Sequence, residues 1–110
     1  MPITQYFPTQ IYSSPLSSRS KGLITRLLRE IDEIRTEDKA GQAWSKENYA
    51  SGFTSYASVN NLQKRSSTFA ELEQAIDQHV HRFVKALDYD LGRKRLEMTN
   101  CWVNIMPRHA

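Results

Sequence analysis

The chain has 110 residues, 39% of them apolar and 25% charged, a length that makes one domain or part of one and a globular composition rather than a disordered one. The 15 basic residues stand against 12 acidic ones and the two signs alternate along most of the sequence, so the net charge of +3 does not gather into the basic face of a nucleic-acid binder. The single cysteine, Cys101, excludes an internal disulfide; residues 1–8 carry no secretory leader, and no apolar run approaches the roughly 20 residues of a membrane helix, so the expectation is a cytoplasmic protein with no membrane partner.

Residues 3–12 are rich in β-formers (Ile3, Thr4, Tyr6, Phe7, Ile11, Tyr12), and Pro8, which cannot donate to a ladder, makes them an edge strand or two short pieces. The Ser-rich link at 13–18 offers N-cap hydroxyls for a first helix that starts at about Ser18 or Ser20 and runs to Arg35. Leu23, Ile24, Leu27, Leu28, Ile31 and Ile34 recur at helical spacing along it. Residues 36–67 show no period; Gly41, Gly52 and runs of Ser and Asn predict an irregular segment pinned by Trp44, Tyr49, Phe53 and Tyr56, with a short strand near 52–56.

Thr68-Phe69-Ala70-Glu71 reads as a capping box, in which the hydroxyl serves the N3 amide and the Glu reaches back to the cap amide. The helix it opens carries Leu72, Ile76, Val80, Phe83, Val84 and Leu87 as one stripe and ends in a turn at 88–92. Residues 95–106 predict a long strand, Leu96, Met98, Asn100, Trp102, Asn104 and Met106 on one face and Glu97, Thr99, Cys101, Val103 and Ile105 on the other. Both faces turn apolar toward its end, which predicts cover on both sides.

Candidate chemistry is sparse. His79 and His81 look like a ligand pair, but residues two apart on a helix point about 200° away from each other and cannot share an ion. Asp77 and His81, four apart, share a face; helix-surface carboxylate–histidine pairs are ordinarily solvated. Cys101 in an apolar strand reads as packing rather than as a nucleophile. Asn100 and Asn104 stand out because a strand interior disfavours Asn and both share a face with Trp102. Two readings stay open for them: they hold a polar ligand, or they satisfy loop backbone. No phosphate-cradling loop, catalytic triad, zinc motif or paired carboxylates are recognisable.

Three stretches, in order, resemble one family. Phe7-Pro8-Thr9-Gln10-Ile11-Tyr12 is similar to its opening FPTPIY element, with Gln10 where Pro is usual. Gly52-Phe53-Thr54-Ser55-Tyr56 resembles its central aromatic motif. Thr99-Asn100-Cys101-Trp102-Val103-Asn104-Ile105-Met106-Pro107-Arg108 resembles the strand that leads into its active site. The family is that of 2-oxoglutarate/Fe(II)-dependent oxygenases. The resemblance implies an α+β chain of two helices packed on strands, the N-terminal part of a double-stranded β-helix, or jelly roll. It implies Fe(II) held by two His and an acidic ligand, with 2-oxoglutarate chelating the metal. It places Asn104, Trp102 and Asn100 at the cosubstrate pocket.

In that family the first His-containing iron motif follows the strand matching 99–106 by a few residues, and His109 does not stand at a ligand position. The expectation is therefore that residues 1–110 are part of a single incomplete domain with no catalytic or metal-ligating residue of its own. Alone, it would be inactive and bind neither iron nor cosubstrate, and it would self-associate or pair with a missing C-terminal half. The substrate is not legible. The competing expectation is a non-enzymatic small α+β interaction module.

Overall fold

The computed structural model describes residues 2–4, 8–16, 21–88 and 91–108. They form an α+β arrangement of four helices and a two-stranded antiparallel ribbon. The expected start of the first helix at Ser18 or Ser20, the Tyr6 and Phe7 positions, part of the 88–92 turn and His109 lie outside the described residues. No described residue of 3–12 forms a strand.

Helix α1 spans Leu23–Glu37 and follows Gly22, whose φ of 75° is a left-handed conformation open to glycine. Its six-residue stripe divides on folding. Leu23 and Leu27 are buried, Ile31 and Ile34 pack beside them, and Ile24 and Leu28, about 100° round the helix, stay exposed.

The segment expected to be irregular contains a second helix, α2, Lys39–Asn48. Asp38 both ends α1, its N–H donating to the Ile34 carbonyl at 2.8 Å, and caps α2, its carboxylate accepting from the Gly41 N–H at 2.9 Å. Ser58 donates to the other oxygen of that carboxylate at 2.5 Å. Gly41 is needed because a Cβ there would lie 2.2 Å from the Asp38 carboxylate.

Strand β1, Phe53–Thr54, falls within the expected 52–56 strand and pairs with β2, Asn104–Ile105, in the register Phe53↔Ile105 and Thr54↔Asn104. The short helix α3, Leu62–Arg65, follows, and then α4, Ser67–Ala86. The cap of α4 differs from the expected box. Ser66, not Thr68, is the N-cap, and its hydroxyl accepts from the Phe69 N–H at 3.3 Å while donating to the Glu30 carboxylate of α1. Glu71 pairs with Arg26 of α1 at 2.9 Å, and Thr68 is buried in the first turn.

The expected long strand over 95–106 is much shorter. Beyond β2, it holds only an isolated parallel bridge at Cys101, whose N–H donates to the Asn60 carbonyl at 2.9 Å and whose carbonyl accepts from Leu62 N–H at 3.2 Å. The reason is the partner: the chain from 53 to 62 makes its backbone hydrogen bonds and bridges with 101–105, whereas Asn100 meets it through a side chain. Arg95 and Glu97 meet each other on the surface at 3.4 Å. Nor are both faces covered. Cys101, Val103 and Ile105 turn inward, Val103 fully, whereas Asn100, Trp102, Asn104 and Met106 stay exposed. This is the period-2 alternation of a strand covered on one side.

The core gathers Leu23 and Leu27 of α1, Phe53 of β1, Leu62 of α3, Phe69 of α4 and Val103. Only the first half of α4 reaches it, through Phe69 and Leu72; Val80, Phe83, Val84 and Leu87 are half-buried. Among the described residues, no helix is long and apolar enough to cross a membrane.

Candidate functional site

The outward face of the ribbon brings together residues far apart in sequence. The Thr54 hydroxyl, opposite Asn104, donates to Asn104 Oδ1 at 2.6 Å and accepts from the Tyr56 N–H at 3.2 Å. The same register carried two residues further sets Tyr56 beside Trp102, their rings edge to face with centroids 5.0 Å apart. Both rings remain accessible, Tyr56 at 53% and Trp102 at 41%.

Beneath this face the backbone is tightly fixed. Ser45 of α2, itself buried, donates from its hydroxyl to the Thr54 carbonyl at 3.2 Å and accepts from the Thr54 N–H at 3.0 Å. One side chain thus occupies the outer edge of β1 where a third strand would pair. Ser55, fully buried, donates its N–H to the Val103 carbonyl at 3.0 Å, and its hydroxyl accepts from the Val103 N–H at 3.1 Å.

Of the three residues singled out in the sequence, Asn104 and Trp102 lie side by side on this face. Asn100 lies at its far end, with its amide 3.5 Å from the Asn60 carbonyl, a loop-backbone contact. Thr54, Tyr56 and Ser45 complete the arrangement. They were not candidates from the sequence because their roles depend on register; the only hint was that Tyr56 belongs to the aromatic motif that pairs with 99–108.

The remaining chemical candidates are dispersed. His79 Nδ1 is 2.7 Å from the Tyr12 hydroxyl, and the Tyr12 ring packs on His79 and Phe83. His81 and Asp77 line a cavity of about 790 Å³ between the second half of α4 and residues 91–98. Cys101 is half-buried; burial, and then the negative charge of Glu73, push its thiol pKa up. Among the described residues no group of three or more His, Cys, Asp or Glu side chains is placed to hold a metal ion.

Neither the family models nor the curated proteins searched give a match to this chain.

Proposed function

We propose that the chain supplies one wall of a cytoplasmic 2-oxoglutarate- and Fe(II)-dependent oxygenase, its ribbon forming part of a jelly roll. The observation that carries this reading is the pairing of two of the three family-like stretches: 52–56 lies against 99–108 in register, with Thr54 on Asn104 and Tyr56 on Trp102. The face they share, on which Asn104, Trp102, Tyr56 and Asn100 are exposed and Thr54 is buried, is the proposed wall of the cosubstrate pocket. Asn104 accepts through Oδ1 from Thr54, so its amide N–H groups are the donors for a carboxylate. The Trp102 and Tyr56 rings supply an apolar flank to that polar spot.

The described residues do not fit a facial iron site, since no suitable group of ligands lies among them. No reaction step through iron is assigned to them; the ligands are proposed to come from outside this wall. The test is succinate formation from 2-oxoglutarate, measured with added Fe(II) for the purified chain and for the chain produced together with the polypeptide encoded directly downstream. The expected result is no turnover by the chain alone and iron-dependent turnover by the longer product, with Asn104→Ala raising KM for 2-oxoglutarate while the circular dichroism spectrum is unchanged. No iron-dependent turnover in the longer product would sink the oxygenase reading. Turnover by the chain alone would place the ligands inside it.

A further inference from the structure

A second surface, lined by Ser45 of α2 and by Phe53 and Ile105 of the ribbon, does not rest on the oxygenase reading. A groove of about 640 Å³ runs between α2 and the end of the ribbon. Its apolar floor includes Tyr49, Ile105 and Met106, and its rim carries Arg35, Lys39 and Lys46. The floor closes at Gly52, where a Cβ would fall 2.5 Å from the Tyr49 ring and 2.7 Å from the Ile105 carbonyl oxygen. Met106 remains 68% exposed.

The charge of this groove is one-sided. Three of its lining residues are cationic and none is Asp or Glu. Arg35 is paired with Asp32, at 2.6 Å, but Asp32 does not line the groove. The Lys39 ammonium donates to the Thr36 carbonyl at 3.2 Å, a bond to a neutral acceptor that leaves its charge uncompensated. The larger cavity beside α4 differs: Glu73, Asp77 and Glu97 line it together with Lys64, Lys85, Lys94 and Arg95, so acidic and basic groups are mixed there.

The geometry points to an acidic peptide segment with an apolar anchor as the occupant of the groove between α2 and the ribbon. Carboxylates would meet Lys39 and Lys46 on the rim, beside an Arg35 already paired with Asp32, and an aliphatic side chain would cover Met106 and Tyr49. Charge complementarity selects the sign of the partner, and the open groove admits a peptide segment.

The test is fluorescence anisotropy of a labelled peptide of alternating Glu and Leu, titrated with the full chain at low ionic strength. Binding should weaken with added salt and be absent for the Gln-for-Glu peptide. Lys39→Glu/Lys46→Glu should weaken it about tenfold or more, while Lys85→Glu/Lys94→Glu, beside the other cavity, should leave it nearly unchanged. Lys39→Ala/Lys46→Ala should give the same ranking where charge reversal disturbs folding, as judged by circular dichroism. Equal loss in both double variants would reduce the effect to overall charge and overturn the assignment. So would equal binding of the Gln peptide, no binding at low salt, or tighter binding of single-stranded RNA through the same lysines.

Discussion

Cys101 and Asn104 are three residues apart on one segment, and the alternation of that segment gives them opposite chemistry. Cys101 faces inward, where burial and the charge of Glu73 disfavour the thiolate. Its reaction with iodoacetamide at pH 8 should be slower in the native chain than in denaturant, and Glu73→Gln should recover part of the difference. The stability consequence has a definite sign. The unfolded thiol, near pH ~8.5, loses its proton before the native one does. The native state then binds more protons in that window, so stability should fall as pH rises above the ordinary thiol value and level off above the raised one. Asn104 faces outward and is held by the Thr54 hydroxyl. Thr54→Val keeps the shape and removes that bond together with the one the hydroxyl accepts from the Tyr56 N–H, and should cost about 1–3 kcal/mol in urea unfolding. If the bond is the cause, a second substitution, Asn104→Ala, should add little further loss in a double-mutant cycle.

At the scale of elements, what the sequence made legible follows from length and period. Helices α1 and α4 are amphipathic over 15 and 20 residues, enough for a stripe to stand out. Helix α2 has ten, its apolar positions are two alanines and a half-exposed Trp44, and Gly41 reads as a break. The usable signal was Asp38, an N-cap residue whose carboxylate reaches the Gly41 N–H. The α4 cap was misplaced because Ser66, Ser67 and Thr68 all offer hydroxyls, and the local rule chose the one with a Glu three residues on. That Glu, Glu71, pairs with Arg26 across the α1–α4 contact, which no local rule contains. The same limit applies to the candidate site. Asn104 and Trp102 stood out as residues unusual in a strand, whereas Thr54, Tyr56 and Ser45 gain meaning only from a partner 50 residues away or from a neighbouring helix. The cap is directly testable. Ser66→Ala should cost about 1 kcal/mol and Ser66→Gly only a few tenths through the cap itself; an additional loss common to both variants would report the broken contact with Glu30.

The molecule as a whole is unevenly consolidated, and α4 shows where the boundary falls. Its first turns enter the core: Phe69 is 3% exposed and packs in the cluster that joins α1, α3, β1 and Val103. Almost four turns on, Phe83 is half-buried beneath the Tyr12 ring, at a centroid distance of 5.4 Å, outside that cluster. Sequence periodicity gives both residues one role, since each sits on an apolar helical stripe; burial separates them because the core cluster takes in Phe69 and Leu72 and not Phe83. Phe69→Ala should therefore cost about 3–5 kcal/mol, through lost transfer energy and the cavity left among neighbours that cannot all collapse. Phe83→Ala should cost less than about 1.5 kcal/mol, because much of its surface already meets water and the Tyr12 segment can settle onto the space. Urea unfolding followed by both Trp fluorescence and circular dichroism measures the two losses and checks that one transition reports them. Trp44 and Trp102 sit on α2 and beside the ribbon, away from the second half of α4. A Phe83→Ala variant that loses helical signal before Trp signal would mark that half of α4 as a separately melting element. Equal losses from the two substitutions would instead place Phe83 in the core and extend the consolidated region along the whole helix.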